Sequence, residues 1–292
     1  MKYGKKRVNL LSIFTMAVLI LYVISLCIPM IWGFVTSFKG NLDYLENPLW
    51  LPQKWFPQNI MTAIRNFKVT VNTGGMMREV GIAEMLLNSV LYAGGGAFLS
   101  AFTCSIVAYA TARFDFKFSK VIYAIVLITM TLPIVGNLPS ELQLLRSLGL
   151  YDHIWGLWIC KANFLGLYYL VFYAQFKAMP KEFAEAAYMD GASNLQVLFR
   201  ISMPLIHGTF LTVTLIKFIE FWNDYTVTLT YMPTHPTLAY GLYAYSFTTS
   251  PEISSTPMRL SGCLILIVPI LLVFLIFHKR LLGNISMGGI KE

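Results

Sequence analysis

The sequence predicts an all-α integral membrane protein with six transmembrane helices, and three observations predict it. Of 292 residues, 57% are hydrophobic and only 12% are charged, about half the charged share of a soluble domain. Mean hydropathy is +0.63, and a soluble globule so sparsely charged would aggregate through its apolar surface. Six apolar stretches, at 11–36, 86–111, 121–139, 153–176, 205–229 and 259–278, have the length of a bilayer crossing. Finally, the basic residues gather in alternate connections. Disordered, collagenous and disulfide-scaffold classes fail, because apolar content is high, Gly is 20 and Cys is 4.

The first stretch follows Lys2, Lys5, Lys6 and Arg7, as a secretory signal would. Its apolar run is far longer than a signal's and has no small-x-small cleavage pattern, so it reads as an uncleaved anchor. With the N-terminus cytoplasmic, thirteen basic residues fall inside: those four, Arg113, Lys117, Lys120, Lys177, Lys181, Arg200, Lys279, Arg280 and Lys291. Seven fall outside, namely Lys39, Lys54, Arg65, Lys68, Arg78, Arg146 and Arg259. Both termini are therefore expected on the cytoplasmic side of a cell membrane. The net charge of +8 is a topology signal, and no basic–aromatic patch suggests nucleic acid. Three regions are expected: 1–85 with the first span and a long outer loop, a core at 86–278, and a cytoplasmic tail at 279–292.

Span two contains Gly94-Gly95-Gly96, which allows close helix approach or a bend. Span three carries Pro133 and Pro139 and should break before an amphipathic outer segment at 141–150 that lies on the membrane surface. Lys161 and Asn163 sit near the middle of span four. In span five, Lys217, Glu220 and Asp224 lie within about 60° of one another at helical spacing, forming one polar stripe. A charge facing lipid there costs about 3 kcal/mol, so the stripe should face protein or water. It could line a translocation path, hold a partner subunit, or be a neutralised packing pair. An unpaired Lys161 would shed its proton or find an acid, with Asp224 and Glu220 as the nearby candidates. The loop 233–257 is rich in Pro and lacks Lys and Arg.

Chemistry is scarce. There is no GxxxxGK[ST], HExxH or GxSxG, and none of His153, His207, His235 and His278 is at ligand spacing to another. Cys27, Cys104, Cys160 and Cys263 each fall within a span and form no CxxC or Cys/His cluster. No enzyme activity, metal or cofactor is expected of this chain. A nucleotide that drives it would bind another chain.

The most informative stretch is 179–204, MPKEFAEAAYMDGASNLQVLFRISMP. Pro180 with Lys181-Glu182 suits a helix start, and Asp190-Gly191 suits its stop. The intervening helix of about ten residues is too short to be stable alone. Phe183, Ala187 and Met189 would leave apolar surface exposed. Periodicity alone favours an amphipathic helix lying on the membrane. However, Glu185-Ala186-Ala187, Gly191 three residues on, then Ile201 and Pro204 resemble the loop signature of permease subunits of binding-protein-dependent ABC importers, with Met203 in place of the usual Leu. In that family the loop, here 177–204, is the coupling helix that seats in an ATPase groove. Resemblance gives Glu185, Ala186, Ala187, Asp190, Gly191, Ile201 and Pro204 that role.

The resemblance covers nearly the whole chain and is to the carbohydrate type. Ser37-Phe38-Lys39, Asn88-Ser89, Ala108-Tyr109-Ala110, Leu148-Gly149-Leu150 and Trp222-Asn223-Asp224 match, without the usual Pro after the last. The tail Met287-Gly288-Gly289-Ile290-Lys291 is similar to that of the second permease of maltose-type systems, which enters the ATPase interface, so Gly288 and Gly289 are assigned there. The resemblance implies the type I importer permease fold. It also implies a second permease in a heterodimer, two ATPase subunits holding ATP and Mg, an extracytoplasmic solute-binding protein, a sugar or oligosaccharide substrate and a prokaryotic host. Lys161, Lys217, Glu220, Asn223 and Asp224 become possible pathway or partner-permease contacts. A polyamine, phosphate ester or peptide importer is an alternative. An ion-driven carrier is another, although the inverted repeats it would favour are not evident.

Overall fold

The computed structural model describes residues 10–132 and 136–285, with side chains described for 11–132 and 136–277. Lys2, Lys5, Lys6, Arg7, Pro133 and the tail with Gly288 and Gly289 lie outside the described residues, as do the side chains of Lys279 and Arg280.

Helix α1 (Leu10–Thr36) carries no charge. Short α2 (Asn41–Glu46) and α3 (Gln58–Asn66) follow, then a hairpin of β1 (Val69–Thr73) and β2 (Met76–Val80). Its strands pair antiparallel, Val69 opposite Val80 and Thr73 opposite Met76. The tip is Gly74-Gly75 with φ of 61° and 91°. Two left-handed residues give the turn twist that a two-residue hairpin loop requires. Beyond it run α4 (Ile82–Arg113), α5 (Ser119–Thr131), α6 (Leu138–Ser147), α7 (Ile154–Lys161), α8 (Leu167–Ala178), α9 (Glu182–Met189) and α10 (Asn194–Val197). A π-helical turn (Leu198–Ser202) joins α10 to α11 (Met203–Leu205), and α12 (His207–Trp222), α13 (Tyr225–Tyr231), α14 (Leu238–Ser246) and α15 (Thr256–Ile285) complete the chain.

Contacts divide the chain into two units, residues 1–67 with 245–265, and 68–244 with 266–292. In the first, Lys39 is fully buried and donates to the Asn47 carbonyl at 2.6 Å. Ser261 Oγ donates to the Ser37 carbonyl at 3.0 Å, and the rings of Phe67 and Tyr245 lie 5.4 Å apart. In the second, α4 is the central post, with α7, α8 and α12 packed on it. At 1.5 Å per residue its 32 residues reach about 48 Å. Its buried face is built from small residues, among them Ala97, Ser100, Ala101 and Ala108, which let Tyr169, Phe172 and Phe176 of α8 pack closely. The Gly94–96 run serves packing: a Cβ on Gly95 would stand 2.2 Å from the Trp158 ring, and one on Gly96 3.2 Å from Phe221.

Among the described residues, α1, α4 and α15 are individually long and apolar enough to cross a membrane; Asn194–Leu205 with α12 qualifies only as a pair bent by 76°. The sequence reading is therefore corrected for spans four and five, which are not continuous helices, while span three breaks before α6 as expected. Span three gives α5, of 13 residues, and a separate α6. Span four breaks at 162–166, where Gly166 has φ 126°. Span five breaks at Asn223-Asp224, because the Asp224 carboxylate caps α13, accepting the Val227 amide at 3.0 Å. A hydropathy average passes over such breaks because the flanking residues remain apolar. Glu141 ties α6 to Cys160 of α7 and Tyr231 of α13.

Candidate functional site

The 177–204 segment folds by local rules. Glu182 and Glu185 occupy the first turn of α9, where the helix dipole favours acids. Gly191 takes φ +80°. Its amide donates to Tyr188 O at 3.0 Å and the Ala192 amide to Ala187 O at 2.9 Å, the paired bonds of a Schellman stop. Ser193 then starts α10 with a capping box: its Oγ accepts the Gln196 amide and its own amide donates to Gln196 Oε1. The π turn comes just before Pro204, whose ring can neither donate nor tolerate the carbonyl four residues back. The widened turn accommodates both constraints.

Four signature positions converge: Ala187, Asp190, Gly191 and Ile201 line one groove of about 310 Å³, with Gln196 and Arg200. Glu185 stands apart, lining a separate cavity of about 220 Å³ with Arg113 and Tyr188. Ala186 is exposed, beside Phe183 at 50% and Met189 at 89% exposure. Ala187, expected to be exposed, is buried at 8%. Pro204 is exposed at the bend toward α12. Thus α9 has one flank turned to its own chain and an apolar edge that its own chain leaves open.

The polar stripe is only partly a unit. Lys217 Nζ pairs with Glu220 Oε2 at 2.9 Å, with side chains 18% and 53% exposed. The ammonium also stands 4.9 Å from the Tyr168 ring centre and 5.5 Å from that of Phe221. Lys161 sits 6.0 Å over the Phe221 ring and makes no ion pair among the described residues, so neither Asp224 nor Glu220 is its partner. Asp224 is occupied as the α13 cap and by Tyr92 OH at 3.4 Å. Asn223 Nδ2 donates back to Ile219 O, and Asn163 is exposed in the span-four break.

Sequence reasoning missed the side chains that close the other end of α4. Asn88 Nδ2 donates to Pro236 O at 3.0 Å, and Ser89 Oγ accepts the Leu238 amide at 2.7 Å. Asp152, at φ 61°, accepts from the Thr234 amide at 3.1 Å and the Thr234 hydroxyl at 2.7 Å, and its amide donates to Tyr231 O. Asn88-Ser89 had a signal only as a family-like dipeptide, and Asp152 had none. Among the described residues no cluster of His, Cys, Asp and Glu could hold a metal ion.

A helical protein with several helices long and apolar enough to cross a membrane, and a groove of signature residues beside a short helix, is the class these features define. Residues 101–285 match the model of the family described as binding-protein-dependent transport system inner membrane component. The chain belongs to that family, whose members are transport components of the inner membrane. It is similar to the diacetylchitobiose uptake system permease protein NgcG of Streptomyces coelicolor, 26% identical across 93% of this chain and 86% of the relative. It is also similar to the sulfoquinovosyl glycerol transport system permease protein SmoH of Agrobacterium fabrum, 26% identical across 90% and 88%. A chain of the crystal structure of a bacterial ABC transporter involved in importing the acidic polysaccharide alginate superposes with TM-score 0.74, at 20% identity, over 96% of this chain and 99% of that one. The fold is that of a type I ABC importer permease.

Proposed function

We propose that this protein is a permease subunit of an ABC importer and forms half of the translocation pathway for a sugar or oligosaccharide. The single observation that carries this reading is the family match joined to a loop whose signature residues converge on one groove. The relatives' names support the sugar: NgcG takes up diacetylchitobiose and SmoH sulfoquinovosyl glycerol. In this reading residues 86–278 are the core, six crossings carry the chain through the membrane, and both termini are cytoplasmic. A second permease completes a heterodimer, two ATPase subunits carry ATP and Mg, and a solute-binding protein delivers the sugar from outside. The tail at 279–292 extends toward the ATPases.

The loop 177–204 is the coupling element. Phe183, Ala186 and Met189 form the edge that seats in the ATPase, since their exposure in the isolated chain leaves apolar area for a partner to bury. ATP-driven closure of the two ATPases draws the coupling loops together and tilts the core helices. The cavity thereby turns from inward-facing to outward-facing. The half-exposed stripe of Lys217 and Glu220, with Lys161, Asn223 and Asp224, faces the pathway or the second permease, because lipid would not tolerate it. The test is purification of the membrane complex: a Walker-motif subunit should copurify, and its ATP hydrolysis should rise with sugar-loaded binding protein. A chain that purifies without an ATPase, or an ATPase indifferent to the loaded protein, overturns the reading. Uptake over a sugar panel in a deletion strain then identifies the solute.

A further inference from the structure

We propose that the cavity between the ends of α4 and α8 and the inner flank of α9 binds a phosphate-bearing anion, and so holds α9 in place on the membrane helices. Three cations from three elements line it: Arg113 ends α4, Lys177 lies in the last turn of α8, and Lys181 immediately precedes α9. None of them has a carboxylate within ion-pair distance among the described residues. Arg113 Nη2 donates to Pro180 O at 3.3 Å, which leaves the rest of its fork to face a ligand. Asp115 and Glu185 also line the cavity, so the empty site carries one net positive charge. Tyr109 and Tyr188 add two phenols to the wall.

Three cations against two carboxylates leave the concavity with an excess of positive charge, which a bound anion neutralises. Phosphate suits three such donors, because Arg binds it through a fork and Lys as a point charge. Basic pockets at the cytoplasmic ends of membrane helices take anionic headgroups. An anionic phospholipid and free phosphate share this chemistry. The inference rests on the importer reading only for the leaflet that would supply a lipid. On α9, Lys181, Ala184, Glu185 and Tyr188 recur at helical spacing on the cavity side, so an anion there would tie α9 to α4 and α8 without covering Phe183 or Met189.

The test uses the purified full-length complex exchanged into vesicles of phosphatidylcholine or phosphatidylglycerol. Retained lipid is read by native mass spectrometry, and inorganic phosphate binding by a thermal shift. Wild type should retain phosphatidylglycerol over phosphatidylcholine. Lys177→Gln with Lys181→Gln should lose that preference by about tenfold or more, and Asp115→Asn should strengthen it. Phosphate that protects wild type but not the double variant, without lipid retention, identifies free phosphate as the source and equally supports the site. Equal retention and equal phosphate response in all three proteins overturn it. If the double variant does not assemble, Asp115→Asn decides alone, and no tightening sinks the proposal. The readout needs no hydrolysis, so failure of the importer reading would show as absent ATPase stimulation with lipid retention intact.

Discussion

The two ends of α4 are built on opposite plans. At its start, side chains bind the loops: Asn88 and Ser89 hold 236–238, Asp152 holds Thr234, and Glu141 joins Cys160 to Tyr231. At its finish, Arg113 lines a cavity, and α9 exposes Phe183 and Met189 while ending in a Schellman stop. One end is closed by side chains that reach loops far along the chain, while the other, tied by Arg113 to the Pro180 carbonyl, leaves the apolar edge of α9 open. Under the importer role proposed above, a surface that must receive another subunit cannot be spent on its own chain, and the open edge of α9 meets that requirement.

The largest effect should come from Gly191. A branched or bulky residue at φ +80° meets the left-handed strain of about 1–2 kcal/mol and spoils the stop. Gly191→Leu should leave the protein in the membrane yet abolish uptake while ATP hydrolysis continues, measured as sugar uptake against hydrolysis in vesicles. Normal uptake would remove the loop from the mechanism.

Next in size is a paired test within span two. Gly95→Ala should cost about 1–3 kcal/mol through collision with Trp158, whereas Gly94→Ala, with nothing within 4 Å, should be neutral or gain a few tenths. Equal melting temperatures in detergent would contradict the packing role.

Asp152→Ala should cost about 1–3 kcal/mol by orphaning Thr234. Met189→Ala, at the exposed end, should leave the melting temperature alone and weaken ATPase copurification instead. A reversal of those two readouts would break the contrast between the ends. Smallest of all, Lys68→Ala removes an exposed pair with Glu79, 52% and 63% exposed, and should change stability by no more than a few tenths of a kcal/mol.

Much of the open end was legible in the sequence because its structure is local. Pro180, Asp190-Gly191 and Ser193 specify start, stop and restart within twenty residues, and the helix appears between them. The closed end was not legible. The αL backbone of Asp152 and the partners of Asn88 and Ser89 depend on residues about 80 and 148 positions away, and no periodicity encodes such pairs. Interrupted spans failed for a third reason. Asp224 resembles a member of a helical stripe until the chain turns and uses it as a cap. The glycine-tipped hairpin at 69–80 went unread inside a long loop, with Gly74-Gly75 as its one local signal.

The 76° bend between Asn194–Leu205 and His207–Trp222 has a mechanical consequence. Two arms joined at such an angle form a bell crank. At 1.5 Å per residue they measure about 18 Å and about 24 Å. For stiff arms pivoting at the elbow, a displacement imposed at Asn194 emerges at Trp222 enlarged by about one third and turned toward a new axis. The Trp222 indole donates to the Leu266 carbonyl at 3.3 Å, which places α15 in contact with the far end of the longer arm.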